Sequence, residues 1–391
     1  MSVSRARIWV GMLCLFSVGL LIAALAVLPG KGCTRAAERC SSASNHRRDG
    51  ATPPPTAASF PRLGIAASWM RDDQITAVAD GIAATGARAV RFDVAWSSVE
   101  RVRGNPVWTH IDRIVEAFAN RGIAMLGICT YAPAWANGGQ PNTFPPLAAY
   151  YEDFATFCAA AARRYPQIRA WEVWNEPNLD QFWHDPNARD YVALLTSTYR
   201  VLKEVDPDLT VVSGGLAPHG DYSLADDGGV NPRTFLEEMY AAGARGSMDA
   251  AGYHPYGTPA SAAFRELGDT RPSIRSIMVR NGDGSKPIWA TEAGKGLQPY
   301  EASGGAATET EQANDLRLIT AQLCSRPYVG PIFWFTYADY VASGYGLVRS
   351  DWSARPAYAA FAAQLRTGGC TASSRTAAST LRVSAGGADI R

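Results

Sequence analysis

Two glutamates stand where a short apolar run gives way to turn-forming residues: Glu176 in Trp171-Glu172-Val173-Trp174-Asn175-Glu176-Pro177-Asn178, and Glu292 in Ile288-Trp289-Ala290-Thr291-Glu292-Ala293-Gly294. Such positions are strand ends, where a carboxyl can meet a ligand while a rigid scaffold holds its backbone. Cleavage of a glycosidic bond commonly needs two carboxyls, one to protonate the departing oxygen and one to attack or support the oxocarbenium-like centre. Competing chemistries lack their marks. The five histidines show no His-Glu-x-x-His or other zinc spacing, the seven cysteines include no Cys-x-x-Cys pair, and no Gly-x-Ser-x-Gly elbow is present. No metal, nucleotide or other cofactor is expected.

The elements that would position these carboxyls alternate regularly. Short β-branched or apolar runs at 63–69, 87–95, 123–131, 168–174, 209–215, 248–254, 287–292 and 331–336 read as strands. Helical patterns fall between them, among them 109–120, 147–165, 188–205, 234–242 and 309–325, with 356–365 last. The pattern predicts an α/β chain forming a single (β/α)8 TIM barrel, with a doubly wound open sheet as the alternative. Glu176 then ends the fourth strand and Glu292 the seventh. Period-two alternation turns Val90, Phe92 and Val94 toward the helices and Arg91 and Asp93 toward the axis. By the same rule Gly252, His254 and Tyr256 share one face of the sixth strand, and Ile288, Ala290 and Glu292 one face of the seventh. Polar groups thus gather at the C-terminal strand ends, where barrel enzymes carry their chemistry.

Composition bounds the rest. In 391 residues, 47% are hydrophobic, enough for one large core, and 37 Lys plus Arg against 36 Asp plus Glu leave no basic field for nucleic acid. Residues 8–28 form an uncharged apolar run after Arg5 and Arg7, near the roughly 20 residues needed to span a bilayer. It reads as a signal anchor that keeps the N-terminus in the cytoplasm and everything after it outside. A cleaved signal peptide, with a mature end near Ala36-Ala37, is the alternative. Either way the domain is exported, membrane-anchored or secreted. The expected organisation is 1–30 anchor or signal, 31–59 disordered linker with Pro53-Pro54-Pro55, 60–370 barrel, and 371–391 disordered tail. Disulfides are possible for an exported chain, and buried free thiols are the competing state for Cys129 and Cys158.

Trp-x-x-Glu-x-Trp-Asn-Glu-Pro-Asn, here Trp171 to Asn178, followed by Phe182-Trp183, resembles the fourth-strand signature of glycoside hydrolase family 39, within the clan A retaining barrels. The sharp match is about a dozen residues. The resemblance implies Glu176 as acid/base and Glu292 as nucleophile, with no cofactor. It implies that Asn175 binds the sugar 2-hydroxyl and that Arg91 and Tyr256 hold the nucleophile's carboxylate. Arg91 could equally form a structural pair with Glu172 or Asp93, and Glu172 itself reads as structural. His254 is either a sugar contact or a core imidazole. Trp334 on the eighth strand resembles the tryptophan that floors the catalytic subsite, and Trp135 is a further candidate for the cleft. Xylosidases of that family carry a β-sandwich after the barrel, and this chain ends soon after its last helix, so a smaller, polysaccharide-acting member is the expectation.

The expected activity is therefore retaining hydrolysis of O-glycosidic bonds in a polysaccharide or oligosaccharide, by a monomer. A catalytically silent carbohydrate-binding barrel and a transglycosidase using the same residues remain open. Trp69, Trp96, Trp135 and Trp183, each following a different strand, would stack successive sugars if the cleft is an open groove.

Overall fold

Eight parallel strands alternate with helices in the order β1 (Leu63–Ala66), α1 (Ile75–Thr85), β2 (Ala89–Ala95), α2 (Trp96–Val99), α3 (Thr109–Ala119), β3 (Ala124–Thr130), α4 (Tyr151–Arg164), β4 (Ala170–Val173), α5 (Ala188–Val205), β5 (Thr210–Ser213), α6 (Pro232–Ala241), β6 (Ala251–Tyr253), α7 (Ala262–Arg265), α8 (Ile274–Arg280), β7 (Ile288–Ala293), α9 (Glu309–Cys324), β8 (Val329–Trp334) and α10 (Pro356–Arg366). The computed structural model describes residues 60–370 except 220–227, 269–271, 298–305, 307, 340–343 and 369. The expected anchor, linker and tail lie outside the described residues. Among the described residues, no helix is long and apolar enough to cross a membrane.

The sheet runs β5-β4-β3-β2-β1-β8-β7-β6. Isolated bridges Val212–Ala250 and Leu216–Tyr253 join its two edges, so the barrel is nearly closed. Gly252 permits this seam, because a Cβ there would lie 2.3 Å from the Ser213 carbonyl oxygen. All eight expected strands are present.

The barrel has two apolar layers. Val90, Phe92 and Val94 of β2 face outward into the helix layer, and Arg91 lies inward, as alternation predicts. Inside, small residues such as Ala89, Ala124, Ala170 and Ala250 surround Leu126, while Phe60 packs on Trp289 and Phe333. The helices bury regular stripes. In α5, Tyr191, Leu194, Leu195, Thr198 and Leu202 are buried at helical spacing, and the Asn187 side chain caps the helix by accepting the Arg189 and Asp190 N–H groups. Cys324 and Cys370 form a disulfide that ties the end of α9 to the chain beyond α10. Cys129 and Cys158 are buried free thiols.

Alternation in β7 holds through Thr291 and breaks at Glu292. Ile288 and Ala290 point out to the helices, whereas Trp289 packs inside and Thr291 bonds to Glu172. The expectation that Ile288, Ala290 and Glu292 share an inward face is therefore wrong. Pairing of β7 with β8 shifts register between Ile288 and Ala290, and again between Ala290 and Ala293. Irregularities of this kind re-aim side chains, and here both Thr291 and Glu292 reach the centre.

Candidate active site

β2 supplies the organising cation. Arg91 is fully buried and spends three donors on three partners: Nε on Glu172 Oε2 at 2.7 Å, Nη1 on Glu292 Oε1 at 2.5 Å, and Nη2 on Asn175 Oδ1 at 3.0 Å. Arg91 thus joins Glu172 and also holds Glu292, so both roles left open by the sequence are filled. Because guanidinium only donates, the Asn175 atom facing it must be oxygen, and the amide NH2 is fixed on the other side as a donor.

Glu176 reaches the cleft through a local turn. Trp174 and Glu176 both have left-handed backbones, with φ of 70° and 43°. This conformation costs on the order of 1–3 kcal/mol in a non-glycine residue and is typically held by surrounding structure. Here the Trp174 ring packs outward against Phe154 and Trp183 and donates from Nε1 to the Phe182 carbonyl at 2.8 Å. Asn178, which the sequence reading left without a role, is fully buried and donates to the Ala217 and Val230 carbonyls, each at 2.9 Å. It stitches the loop after β4 to the segment after β5. Its place beside Asn-Glu-Pro was the available signal.

His254, after β6, is a fully buried link between carboxyls. Its Nδ1 lies 2.7 Å from Glu176 Oε1 and its Nε2 lies 3.0 Å from Thr291 Oγ1. The Thr291 hydroxyl donates to Glu172 Oε1 at 2.9 Å, which the Gly215 N–H also donates to at 2.9 Å. With its proton so directed, the Thr291 oxygen must accept from His254, which puts a hydrogen on Nε2 and leaves Nδ1 and Glu176 to share the next proton. Gly215 leaves room for this chain, since a Cβ there would stand 2.1 Å from His254 Nε2. Tyr256 donates its hydroxyl to Glu292 Oε2.

One oxygen of Glu176, one of Glu292 and a ring nitrogen of His254 lie within 4.8 Å of one another. Their protonation diverges. Burial pushes Glu176 up; His254 opposes this, the Glu292 charge adds to it, and the carboxyl ends above its ordinary range. Burial also presses on Glu292, but His254, Arg91 and Tyr256 together outweigh it and hold this carboxyl below its ordinary range. Burial would lower His254, yet the two glutamates raise it. The environments thus push two neighbouring carboxyls apart, one toward acid and one toward anion. The same three residues form a metal-type cluster, but its atoms are engaged by Arg91, Tyr256, Thr291 and each other, and Arg91 already supplies a cation. The donor set does not suit a metal ion.

Two aromatic candidates lie elsewhere. Trp334 faces the helices and is buried there, so it does not floor the cleft; its neighbour Phe335 instead packs edge-on to Tyr256 at 6.0 Å. Trp135 is half-buried and braces a flanking loop, donating to the Glu100 carbonyl at 2.9 Å and packing on Trp96 at 4.9 Å. Of the four tryptophans expected along a groove, Trp96 and Trp183 are buried, and Trp69 is 48% exposed, resting on Tyr131 at 5.2 Å. Most of them pack loops rather than lining a cleft.

Fold and site together place the chain among the clan A (β/α)8 barrels. Within that class the chain belongs to the cellulase family, glycosyl hydrolase family 5, whose model matches residues 55–272. The chain is 32% identical over 134 residues to a β-xylosidase of Geobacillus stearothermophilus, a match covering 30% of this chain and 26% of that enzyme. It resembles the structure of a family 39 glycoside hydrolase from the gut symbiont Bacteroides cellulosilyticus, with a TM-score of 0.62 and 26% identity, over 78% of this chain and 64% of that one. A family 39 β-xylosidase of Caulobacter crescentus shares the fold at a TM-score of 0.57 and 21% identity, over 79% of this chain and 71% of that one. The chain spans about a quarter of the curated relative and under two thirds of the first structural one.

Proposed function

We propose that Glu292 and Glu176 carry out a double displacement on an O-glycoside, with retention at the anomeric carbon. Glu292 attacks that carbon while Glu176 protonates the departing oxygen; Glu176 then draws a proton from water, which attacks the glycosyl ester and frees Glu292. The observation that carries this reading is the approach of the two carboxyls to within 4.8 Å, with opposite protonation tendencies. Retaining enzymes hold their pair about 5–5.5 Å apart, and inverting ones leave room for water at about 6.5–9.5 Å. Arg91 and Tyr256 orient the nucleophile, Asn175 presents its amide to the sugar, and His254 tunes Glu176.

The substrate proposed is an oligosaccharide or polysaccharide met outside the cytoplasm, with residues 8–28 as anchor or signal. The Cys324–Cys370 disulfide supports an oxidising compartment. Protease added to intact cells or spheroplasts should remove the barrel; a protected barrel counts against export.

Kinetics on aryl glycosides tests the roles. Glu292→Ala should abolish turnover, and Glu176→Gln should lose about 10²- to 10⁴-fold on poor leaving groups while sparing activated ones. Wild-type rates in both variants, or an inverted anomer in early NMR spectra, would defeat the assignment.

A further inference from the structure

Tyr256 holds the second oxygen of Glu292, and its own ring is held from outside the catalytic cluster. Three rings meet edge-on there. Tyr345, in the segment after β8, packs on Tyr256 at 5.8 Å and on Phe335 at 5.7 Å, and Phe335 packs on Tyr256 in turn at 6.0 Å. Glycines in the loop that follows the nucleophile leave room for this cluster. A Cβ on Gly296 would stand 2.6 Å from the Tyr345 ring, and one on Gly294 would stand 2.6 Å from the Phe335 carbonyl oxygen. Tyr345 therefore lies against the backbone just beyond Glu292.

Polar groups remote from the carboxyl pair fix the segment that carries Tyr345. Asp339 Oδ1 accepts the N–H groups of both flanking glycines, Gly344 at 3.1 Å and Gly346 at 2.8 Å. Its Oδ2 accepts from Arg355, a buried guanidinium that also donates to the Gly346 carbonyl and to Glu309 at the start of α9. Gln312, fully buried on α9, donates its amide to the Lys295 carbonyl at 2.9 Å and to the Gly344 carbonyl at 2.7 Å, joining the segments after β7 and β8. The mechanism above uses none of these groups. Support of this kind matters to Tyr256 because aromatic χ2 wells are broad, so its hydroxyl stays on one carboxylate oxygen only while neighbouring rings block its rotation.

We propose that Tyr345 is a positioning residue for the nucleophile: its ring, with its backbone clamped by Asp339, Arg355 and Gln312, keeps the Tyr256 hydroxyl directed at Glu292. It acts through Tyr256 and not through the sugar. The inference rests on the proposed role of Glu292.

The test reads the acid limb of kcat/KM on 4-nitrophenyl pentosides and hexosides of both anomers. Arg91 and Asp93 from β2, Tyr131 after β3, Glu176 after β4, and His254 and Tyr256 after β6 are the charged and titratable groups that bear on Glu292, and Tyr345 packs on Tyr256. Tyr345→Ala should lower kcat/KM about tenfold and move the acid limb up by about one pH unit, the size of one weakened hydrogen bond to a charged group. Burial presses Glu292 up, while His254, Arg91 and the Tyr256 bond hold it down. Losing that bond raises Glu292, whereas plain loosening that admits water relieves burial and moves the limb down. Tyr345→Phe keeps the ring and should restore the wild-type limb. Gly296→Ala pushes the same ring from the other side and should reproduce the upward shift, which keeps the test decisive if Tyr345→Ala does not fold. In a Tyr256→Phe background either change should cost nothing further, because the bond it protects is already gone. An acid limb that stays or falls, or a tenfold loss that persists in the Tyr256→Phe background as a direct sugar contact would, overturns the proposal while leaving Glu176 and Glu292 in their roles. Wild type inert on the whole panel overturns both.

Discussion

Replacing Glu292 by Gln removes a negative charge from a carboxyl with an oxygen within 4.8 Å of one on Glu176, while keeping size and hydrogen-bonding capacity. At an effective dielectric near 20, two unit charges at 4.8 Å repel by about 3.5 kcal/mol. Each tenfold change in proton affinity is worth about 1.36 kcal/mol, so Glu176 should hold its proton on the order of a hundredfold less tightly in the variant. His254 responds in the opposite sense: losing the anion that helps keep it protonated, it lowers Glu176 less and offsets part of the shift. The measurement is a ¹³C NMR titration of glutamate carboxyls, with the Glu176 resonance assigned by its disappearance in Glu176→Gln. Trapping the glycosyl-enzyme should reproduce the effect, because esterification removes the same charge. That loss of charge is what turns Glu176 from acid into base between the two steps. A Glu176 midpoint that stays put or rises in Glu292→Gln would refute the electrostatic coupling on which the mechanism depends.

The pH dependence of kcat/KM follows from the same opposed shifts. Glu292 must be ionised and is held low, so activity should persist at pH below the ordinary carboxylate range; Glu176 must be protonated and is held high, so activity should fall as pH rises through its raised value. A profile still climbing above neutrality would contradict this. Gly215→Ala would put a methyl 2.1 Å from His254 Nε2 and 2.6 Å from Thr291 Oγ1. Turnover should fall about 10²-fold, with a loss of roughly 1–3 kcal/mol in stability, read by kinetics and denaturant melts. Cys370→Ser opens a loop with a sequence separation of 46, for which chain entropy gives about 4 kcal/mol. Urea unfolding should show most of that loss, with kcat/KM unchanged because the bond lies outside the catalytic cluster.

What could be read from the sequence was what regular periodicity encodes. The eight strands, the inward Arg91 and the two glutamates all follow from alternation and from turn residues at strand ends. What escaped depends on departures from that regularity. Beside two register shifts between β7 and β8, Glu292 points inward alongside Thr291, and no propensity marks them. The family resemblance selected Trp334 on the eighth strand, where the structure brings Phe335 beside Tyr256. Tryptophans after strand ends suggested a groove, yet large aromatic surface is as readily used to pack loops, and Trp96 and Trp183 are buried that way. The hub role of Glu172 was hidden because its three donors come from β2, β7 and the segment after β5, a convergence only the closed barrel creates.

Asp93 provides a test that separates a carboxyl kept neutral by burial from one held charged by partners. Burial raises it from 3.8 to about 6, with Arg91 and Ser68 opposing. A folded value above the unfolded one means folding favours the neutral acid. Stability from this group is therefore fully present below the unfolded value and is lost as pH rises through about 6. The loss reaches up to about 3 kcal/mol once Asp93 is charged in both states. Asp93→Asn keeps the shape and cannot ionise, so it should be more stable than wild type above neutrality, with the advantage shrinking toward pH 4. Thermal melts of the two proteins across that range measure it. A structural carboxylate, held by partners, would give the opposite result: the Asn variant weaker at high pH.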